Sequence, residues 1–521
     1  MAWILSVASG VLLLVSFPGS GGVSWLAFVA LAPLLVAVDG ATRRRAAALG
    51  FVSGFVFWAV TFAWPAPSVM RFGDIALHRG VFTGVVLVSF LSLYTAAFTA
   101  LIAGMRRRPV AVWVLAAACF WVALEFLRTH LLSGFPWNLL GYTQYRTLPL
   151  IQIAAVTGVW GVSFVVATMN AGVAAFVGSL AGLRTVRTAD PTVTRVGKAD
   201  WRHGVGALAA GGVTLALAWA GGSLVPGVDG TGPRVTVAVV QGNIDQSVKW
   251  DPAFRDVTFG VYRRLTREAA ARNVDVIVWP ETSVPLLERA DPQWDTVTAL
   301  ARETKRFMVV GAPDRIDGGE PRNSVFVLGA DGAPVGRYDK RHLLPFGEYL
   351  PPALSFLRVF GSEVISEFSP GTGPAVVSTP FGRLANVVCF EVIFPGEVRE
   401  RFAGGADVLV NLTNDAWFGR SQIPEQHLAA AVFRAVENRT WLVRAANSGI
   451  SAIVAPDGRI EVASRLFTSG VVTGTFGRRA VTTPYTRYGD VLAWLAAGVT
   501  LACLPLPARR RRPIEEPAPA V

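Results

Sequence analysis

The stretch "RLANVVCFEVIFPGEVRE", residues 383–400, decides how the second half of this 521-residue chain folds. An apolar, strand-like run ends at Cys389, Glu391 follows two residues later, and 395–403 carries apolar positions at helical spacing. The same alternation surrounds it. Residues 234–243, 274–283, 306–313, 323–329, 384–391 and 406–414 read as strands, several apolar on both faces, and 253–272, 292–305, 395–403 and 422–438 read as helices. An α/β domain of about 250 residues, with its strands buried under helices, accounts for this pattern. Sites in such domains gather at the C-terminal ends of strands.

Three residues fall at such ends or in the turns beside them: Glu281 after "VDVIVWP", Lys340 in "VGRYDKRHLLPFGEYLP", and Cys389. Each has an ordinary reading as a helix cap, a solvated lysine or a core thiol. Together they form a chemically complete set. A thiol with an ordinary pKa near ~8.5 needs a base or a cation to attack at neutral pH. Glu281 could take the proton, its pKa raised by desolvation. Lys340, with the amide after the nucleophile, could hold a developing oxyanion. Of the three cysteines, Cys119 and Cys503 lie in apolar runs, so Cys389 has no disulfide partner within the domain.

Outside this interval the chain changes character. It is 52 % apolar and only 16 % charged, too greasy for a wholly soluble protein. Apolar runs at 3–17, 25–38, 46–64, 80–103, 110–127, 151–183, 205–225 and 491–506 predict about eight membrane spans, seven before the polar interval and one after it. The first two are short, and Met1–Phe17 lacks the basic lead of a signal peptide. Arg43–Arg45, Arg106–Arg108, Arg184, Arg187, Arg195, Lys198, Arg202 and Arg509–Arg512 lie in one set of connections, against Arg71, Arg79, Arg128 and Arg146 in the other. That asymmetry predicts both termini in the cytoplasm and the polar interval outside it. The domain bounds that follow are a bundle over 1–230, a catalytic domain over 231–485, a last span over 486–508 and a cytoplasmic tail over 509–521. Most of the +12 net charge then sits in loops facing anionic headgroups. With no nucleic-acid-binding motif in the polar interval, nucleic acid is not an expected partner.

With Glu281, Lys340 and Cys389 in this order inside "VWPE", "YDKRHLLPFGEYLP" and "CFEVIFP", the interval resembles the nitrilase superfamily, whose fold is an αββα sandwich. "VVQGNIDQSVKWDP" (239–252), "NLTNDAWFG" (411–419), "QHLAAAVFRAVENRTWLVRAANSGISAIVAPDG" (426–458) and, in the membrane half, "SGFPWNLLGYTQ" (133–144) extend the resemblance. A nitrilase-like domain set among membrane spans is similar to the apolipoprotein N-acyltransferases, which belong to the inner membrane. That resemblance implies a ping-pong reaction needing no cofactor or metal. Cys389 would take an acyl chain from a membrane phospholipid and pass it to the α-amine of a diacylglyceryl-cysteine on an apolipoprotein. It also implies roles for Glu348 and Glu391 as supporting carboxylates and for Trp250 and Trp417 as required tryptophans. Phe390 departs from the family, which often has tyrosine there.

Several further residues carry competing readings. Leu343, Phe346, Phe356 and Leu357 in 342–368, with Phe418, are expected to form an exposed apolar lid that dips into lipid, or else to pack on the core. Trp137 reads as an interfacial anchor more readily than a substrate contact, and Glu125 with Arg128 as a structural pair or a functional one. His342 and His427 could form a dyad with Cys389 or a metal site, though two scattered histidines are ordinarily surface groups. The competing functions are a membrane-tethered amidase that hydrolyses its acyl-enzyme and an inactive scaffold, the latter opposed by the intact Glu281, Lys340 and Cys389.

Overall fold

The computed structural model describes residues 1–63, 77–105, 108–181, 201–224, 231–284, 291–315, 319–345, 347–349, 368–373 and 375–504. Phe346, Phe356 and Leu357, most of the expected lid, and the tail 509–521 lie outside the described residues.

The opening stretch folds as strand, turn and helix. Its strand β7 (Gly382–Val388) leads into a tight turn over Cys389–Ile393 and a helix over Pro395–Ala403, opened by the proline at its first position. β7 belongs to a six-stranded sheet ordered β11-β10-β9-β8-β7-β6, completed by β6 (Val376–Thr379), β8 (Val408–Thr413), β9 (Leu442–Ala446), β10 (Ala452–Val454) and β11 (Ile460–Ala463). The other sheet is ordered β12-β1-β2-β3-β4-β5. It comprises β1 (Thr231–Gln241), β2 (Val276–Val278), β3 (Phe307–Arg315), β4 (Pro321–Leu328), β5 (Pro334–Asp339) and β12 (Gly470–Arg478). In both sheets the inner strands are parallel, β1-β2-β3 and β7-β8-β9, and the strands outside them run antiparallel. The inner strands are apolar on both faces because both faces are covered.

The two sheets meet through Val237, Val278 and Val309 on one side and Val388, Val410 and Val443 on the other. Helices Arg255–Ala271 and Trp294–Thr304 cover the first sheet from outside. Helices Pro395–Ala403 and Ile423–Asn438 cover the second, which completes four layers in the order helix, sheet, sheet, helix.

Helix Ile423–Asn438 has a second neighbour on its far side. Leu428, Phe433 and Val436 share one buried cluster with Leu139, Leu150 and Trp160 of the N-terminal half. Polar contacts fix the register of this joint. The Glu437 carboxylate accepts from the Val159 amide at 2.9 Å, capping helix Val159–Leu180 where Gly158 turns with φ 65°. Trp160 Nε1 donates to Asp490 at 2.6 Å, and Gln152 Nε2 to the Asp457 carbonyl at 2.8 Å.

Among the described residues, four helices of the expected bundle, Gly80–Gly104, Val110–His130, Val159–Leu180 and Trp201–Ser223, are long and apolar enough to cross a membrane. The remaining expected spans are shorter or interrupted. Ala2–Ser16 has 15 residues and Val491–Cys503 has 13, below the roughly 20 needed for a straight crossing. The run 25–38 breaks into a 3-10 turn over Ser24–Phe28 and a helix over Ala32–Ala37, with Pro33 at the start of the latter. Helix Arg43–Thr61 has 19 residues but begins on three arginines.

Helices Arg43–Thr61 and Leu77–Gly104 touch through their backbones. A Cβ on Gly50 would lie 2.4 Å from the Thr95 carbonyl oxygen, and Thr99 Oγ1 donates to the Ala46 carbonyl at 2.8 Å. Small residues permit this approach, and close packing is what joins helices in lipid. Gly50→Ala should therefore destabilise the detergent-solubilised protein by roughly 1–3 kcal/mol through overpacking. Gly84→Ala, where a Cβ meets nothing within 4 Å, should leave thermal unfolding unchanged or slightly improved. Equal melting of the two variants would remove the close approach as a determinant.

Candidate active site

β7 ends at Val388, and the chain reverses on Cys389 with φ 48°. A non-glycine residue in the left-handed region persists only where its surroundings over-determine it. Glu391 supplies much of that constraint. Its Oε2 accepts from the Val388 amide at 2.7 Å, while Oε1 accepts from Tyr338 Oη at 2.6 Å and the Arg341 amide at 2.8 Å. Arg401 lies 3.5 Å away as counter-charge.

The Cys389 carbonyl is held separately by His427 Nε2 at 3.1 Å. A carbonyl only accepts, so Nε2 carries the hydrogen. Burial first, then Arg444, push His427 below its ordinary pKa, against Asp415; its Nδ1 lies 3.1 Å from both Asp415 Oδ1 and Arg444 Nη2. Arg444 is in turn balanced by Asp415 at 2.9 Å. Burial would raise Asp415, but Arg444, His427 and Thr413 outweigh it and bring its pKa down to about 2.

Lys340 follows β5 directly and is 1 % exposed. Its Nζ sits 2.7 Å from Glu348 and 3.8 Å from Glu281. Asn323 Nδ2, on β4, donates to both carboxylates, to Glu281 at 2.8 Å and Glu348 at 3.0 Å. The second oxygen of Glu281 accepts from the Asn414 amide at 2.7 Å.

These contacts divide the proton affinities usefully. Burial raises Glu281, as does Glu348, against the pull of Lys340, Asn323 and Lys249. Burial works against the Lys340 ammonium, yet Glu348, Glu281 and Cys389 overcome it and hold the lysine charged. For Cys389, burial and then Glu281 push the thiol well above its ordinary range, against Lys340 and a hydrogen bond with Thr413. The resting site is therefore a neutral thiol beside a carboxylate of raised basicity and a fixed cation.

The geometry thus gathers Glu281, Lys340 and Cys389 with Glu348, and gives Glu391 a framework role behind the turn. Phe390 is buried, its ring centroid 5.1 Å from Phe394 and 6.0 Å from Phe135 of the membrane half. Trp250 is 41 % exposed, and Trp417 packs half-buried on the cluster joining the two halves.

Three expectations need correction. Leu343, expected in an exposed lid, is buried, because the amides of Arg341 and His342 before it are tied to Glu391. Phe418 is buried as well, its ring 6.4 Å from Trp137. Trp137 is not an interfacial anchor but lies 5 % exposed over the His427 ring, 5.6 Å between centroids, and donates to Gln426 at 2.9 Å.

Other candidates find structural partners. Glu125 accepts from the Leu140 amide at 2.6 Å, and Arg128 donates to the Trp137 carbonyl at 2.7 Å. His342 pairs with Glu397 at 2.6 Å and stacks on Phe394, while His427 reaches the Cys389 main chain rather than its sulfur. Neither histidine forms a thiol dyad. Among the described residues no cluster of three or more His, Cys, Asp or Glu could hold a metal ion.

Sequence reasoning missed Asn323, Asn414 and Lys249. Asn414 stood inside the quoted motif "NLTNDAWFG" and Lys249 beside Trp250, so the segments were visible and the individual roles were not.

Comparison with known proteins places this geometry. Residues 9–172 match the family model described as Apolipoprotein N-acyltransferase N-terminal domain, and residues 236–483 match Carbon-nitrogen hydrolase. An apolipoprotein N-acyltransferase from Geobacter metallireducens is 41 % identical over 516 residues, 98 % of this chain and 96 % of that protein. Proteins of the same name from Azotobacter vinelandii and Brucella suis are 34 % and 35 % identical over 95 % and 85 % of this chain, and over 93 % and 84 % of their own lengths. A cysteine turn packed against the N-terminal apolar helices, and likeness along nearly the whole length, lead to one conclusion: the chain belongs to the apolipoprotein N-acyltransferase family.

Proposed function

We propose that this membrane enzyme N-acylates lipoproteins, carrying the acyl group from a phospholipid to the acceptor α-amine as a thioester on Cys389. The observation that carries the reading is the seat of the nucleophile. The residue after Cys389 packs on Phe135, and the histidine gripping the Cys389 carbonyl packs under Trp137, so the thiol turn is built against the membrane half.

In the first half-reaction the Cys389 S–H bond breaks and Glu281 takes the proton as sulfur bonds the ester carbonyl carbon. Lys340, held charged by Glu348, and the Phe390 amide stabilise the oxyanion. Collapse breaks the ester C–O bond, and the departing alkoxide takes the proton from Glu281, leaving a lysophospholipid and a thioester. In the second half-reaction the unprotonated α-amine of a diacylglyceryl-cysteine attacks the thioester. Its proton passes through Glu281 to the leaving sulfur, which restores the thiol. Because burial disfavours a free thiolate, proton transfer and attack are coupled to the arrival of substrate.

The wider arrangement belongs to the same proposal. It comprises a multi-pass protein of the cell membrane with about eight spans, short ones included: a bundle over 1–230, a catalytic domain over 231–485 outside the cytoplasm, a last span over 486–508, and both termini in the cytoplasm. Trp250 and Trp417 are assigned to substrate binding, as are Phe346, Phe356 and Leu357.

Two experiments test the reading. Incubation with phospholipid should add one acyl mass to the Cys389 peptide, and that adduct should persist in buffer until a diacylglyceryl lipopeptide with a free amine removes it. Cys389→Ala should abolish the adduct, and Glu281→Gln should slow its formation by on the order of 10²–10⁴. Prompt loss of the adduct to water would favour the amidase instead. For topology, reporters fused after Gly232 and after Arg512 should lie on opposite sides of the membrane, and equal sidedness would refute the assigned orientation.

A further inference from the structure

Lys249 lies in the segment after β1 and has no part in the mechanism above, yet it is only 2 % exposed. Its Nζ donates to the Glu281 main-chain carbonyl at 3.3 Å and to the Thr282 hydroxyl. Thr282 turns with φ 45°, an uncommon conformation for a β-branched residue. Lys249 thus grips the main chain at the point where it bends to present the Glu281 carboxylate.

Charge gives this contact its meaning. Glu281, Glu348 and Lys340 form a buried group with one positive and two negative ends. The neighbouring buried charges are already balanced, Glu391 by Arg401 and Asp415 by Arg444. A buried carboxylate without a counter-charge takes up a proton rather than stay ionised. Among the described residues Lys249 is the other buried lysine at this place, and while it is protonated the set closes at zero.

We infer that Lys249 is a positioning residue for acyl transfer, the second counter-charge that keeps the Glu281 carboxylate ionised and its main chain in place. The inference rests on the reading of Glu281 as the base that deprotonates Cys389. The groups facing Glu281 among the described residues are Lys340, Glu348, Lys249 and Cys389, and those facing Lys249 are Glu281 and Cys389. Lys249 is one of the groups that lower Glu281 against burial. Burial lowers Lys249 itself to about 7, although Glu281 and Cys389 oppose that shift. The loss of one cation therefore moves Glu281 toward its protonated form.

The test is the rate of Cys389 alkylation by iodoacetamide as a function of pH in the full-length detergent-solubilised protein, read on the Cys389 peptide by mass. The parent rate should fall on the acid side as Glu281 protonates. Lys249→Gln keeps an amide that can donate to the Glu281 carbonyl but removes the charge. Its acid limb should move to higher pH by about one unit or more, which slows alkylation on the acid side of the limb about tenfold, with recovery in alkali. Lys249→Arg keeps the charge and should leave the limb at the parent position. An unmoved limb in Lys249→Gln, or a loss equal at every pH, overturns the inference. Glu281→Gln separates the two claims. If it leaves the acid limb in place, the base reading falls and the inference with it; if it removes the limb while Lys249→Gln does not shift it, the inference alone falls.

Discussion

The Lys340 ammonium, almost wholly removed from water and 2.7 Å from Glu348, can stay charged only while carboxylates remain beside it. Desolvation of a lone ammonium would cost several kcal/mol. The carboxylates meet the same demand in reverse, and Asn323 ties both of them to β4. This mutual dependence explains why Glu281, from one segment, and Lys340 and Glu348, from another, are held with so little freedom. None can be buried there unless the others are, so the cluster needs β2, β4 and β5 of the first sheet in register. The thiol is then placed at the edge of this cluster by a different device, the Glu391 and His427 anchors on either side of its turn.

Helix Ile423–Asn438 transmits that order to the membrane half. One face covers the second sheet and the other packs on Leu139, Leu150 and Trp160. In an ordinary two-layer sheet-and-helix unit the outer face would be polar; here Arg434 and Glu437 are buried on it and pair with each other at 2.9 Å. Burial raises Glu437 to about 7 although Arg434 and the Val159 amide pull it down. The joint is therefore as fully desolvated as a core, and His427 on the same helix reaches the Cys389 carbonyl, so the position of the bundle and that of the Cys389 turn are referred to one helix.

Much of this was legible in the residues because the fold demands continuous apolar runs. β1, β2, β3, β4, β7 and β8 could be read from such runs, each covered on both faces. β9 escaped because Arg444 interrupts it, a charge that makes sense only opposite Asp415. β5, β6, β10, β11 and β12 are sheet-edge or antiparallel strands whose pairing partners are set by register and not by composition. The same distinction divides the site. Glu281, Lys340 and Cys389 could be grouped from their chemistry and order, and the structure brings them together, whereas Asn323 and Asn414 act through one amide each, aimed by strand pairing. Trp137 was misread because its partner His427 lies far along the chain.

The pairing of β1 with β12 has a kinetic consequence. Thr231 lies opposite Arg478, so the first and last strands of the catalytic domain are neighbours in one sheet. Such non-local pairing slows folding, because loop-closure entropy is lost long before the contacts that reward it form. During synthesis at roughly 5–20 residues per second, β1 waits on the order of ten seconds or more for its neighbour. Through that interval its edge is open and the apolar inner faces of both sheets lack full cover, which makes the nascent domain a natural client for chaperones. Helix Val491–Cys503 follows the end of β12 by only a dozen residues. Closure of the sandwich and arrival of this apolar helix are therefore almost simultaneous, and a chain halted before residue 470 would have neither a finished sheet nor helix Val491–Cys503.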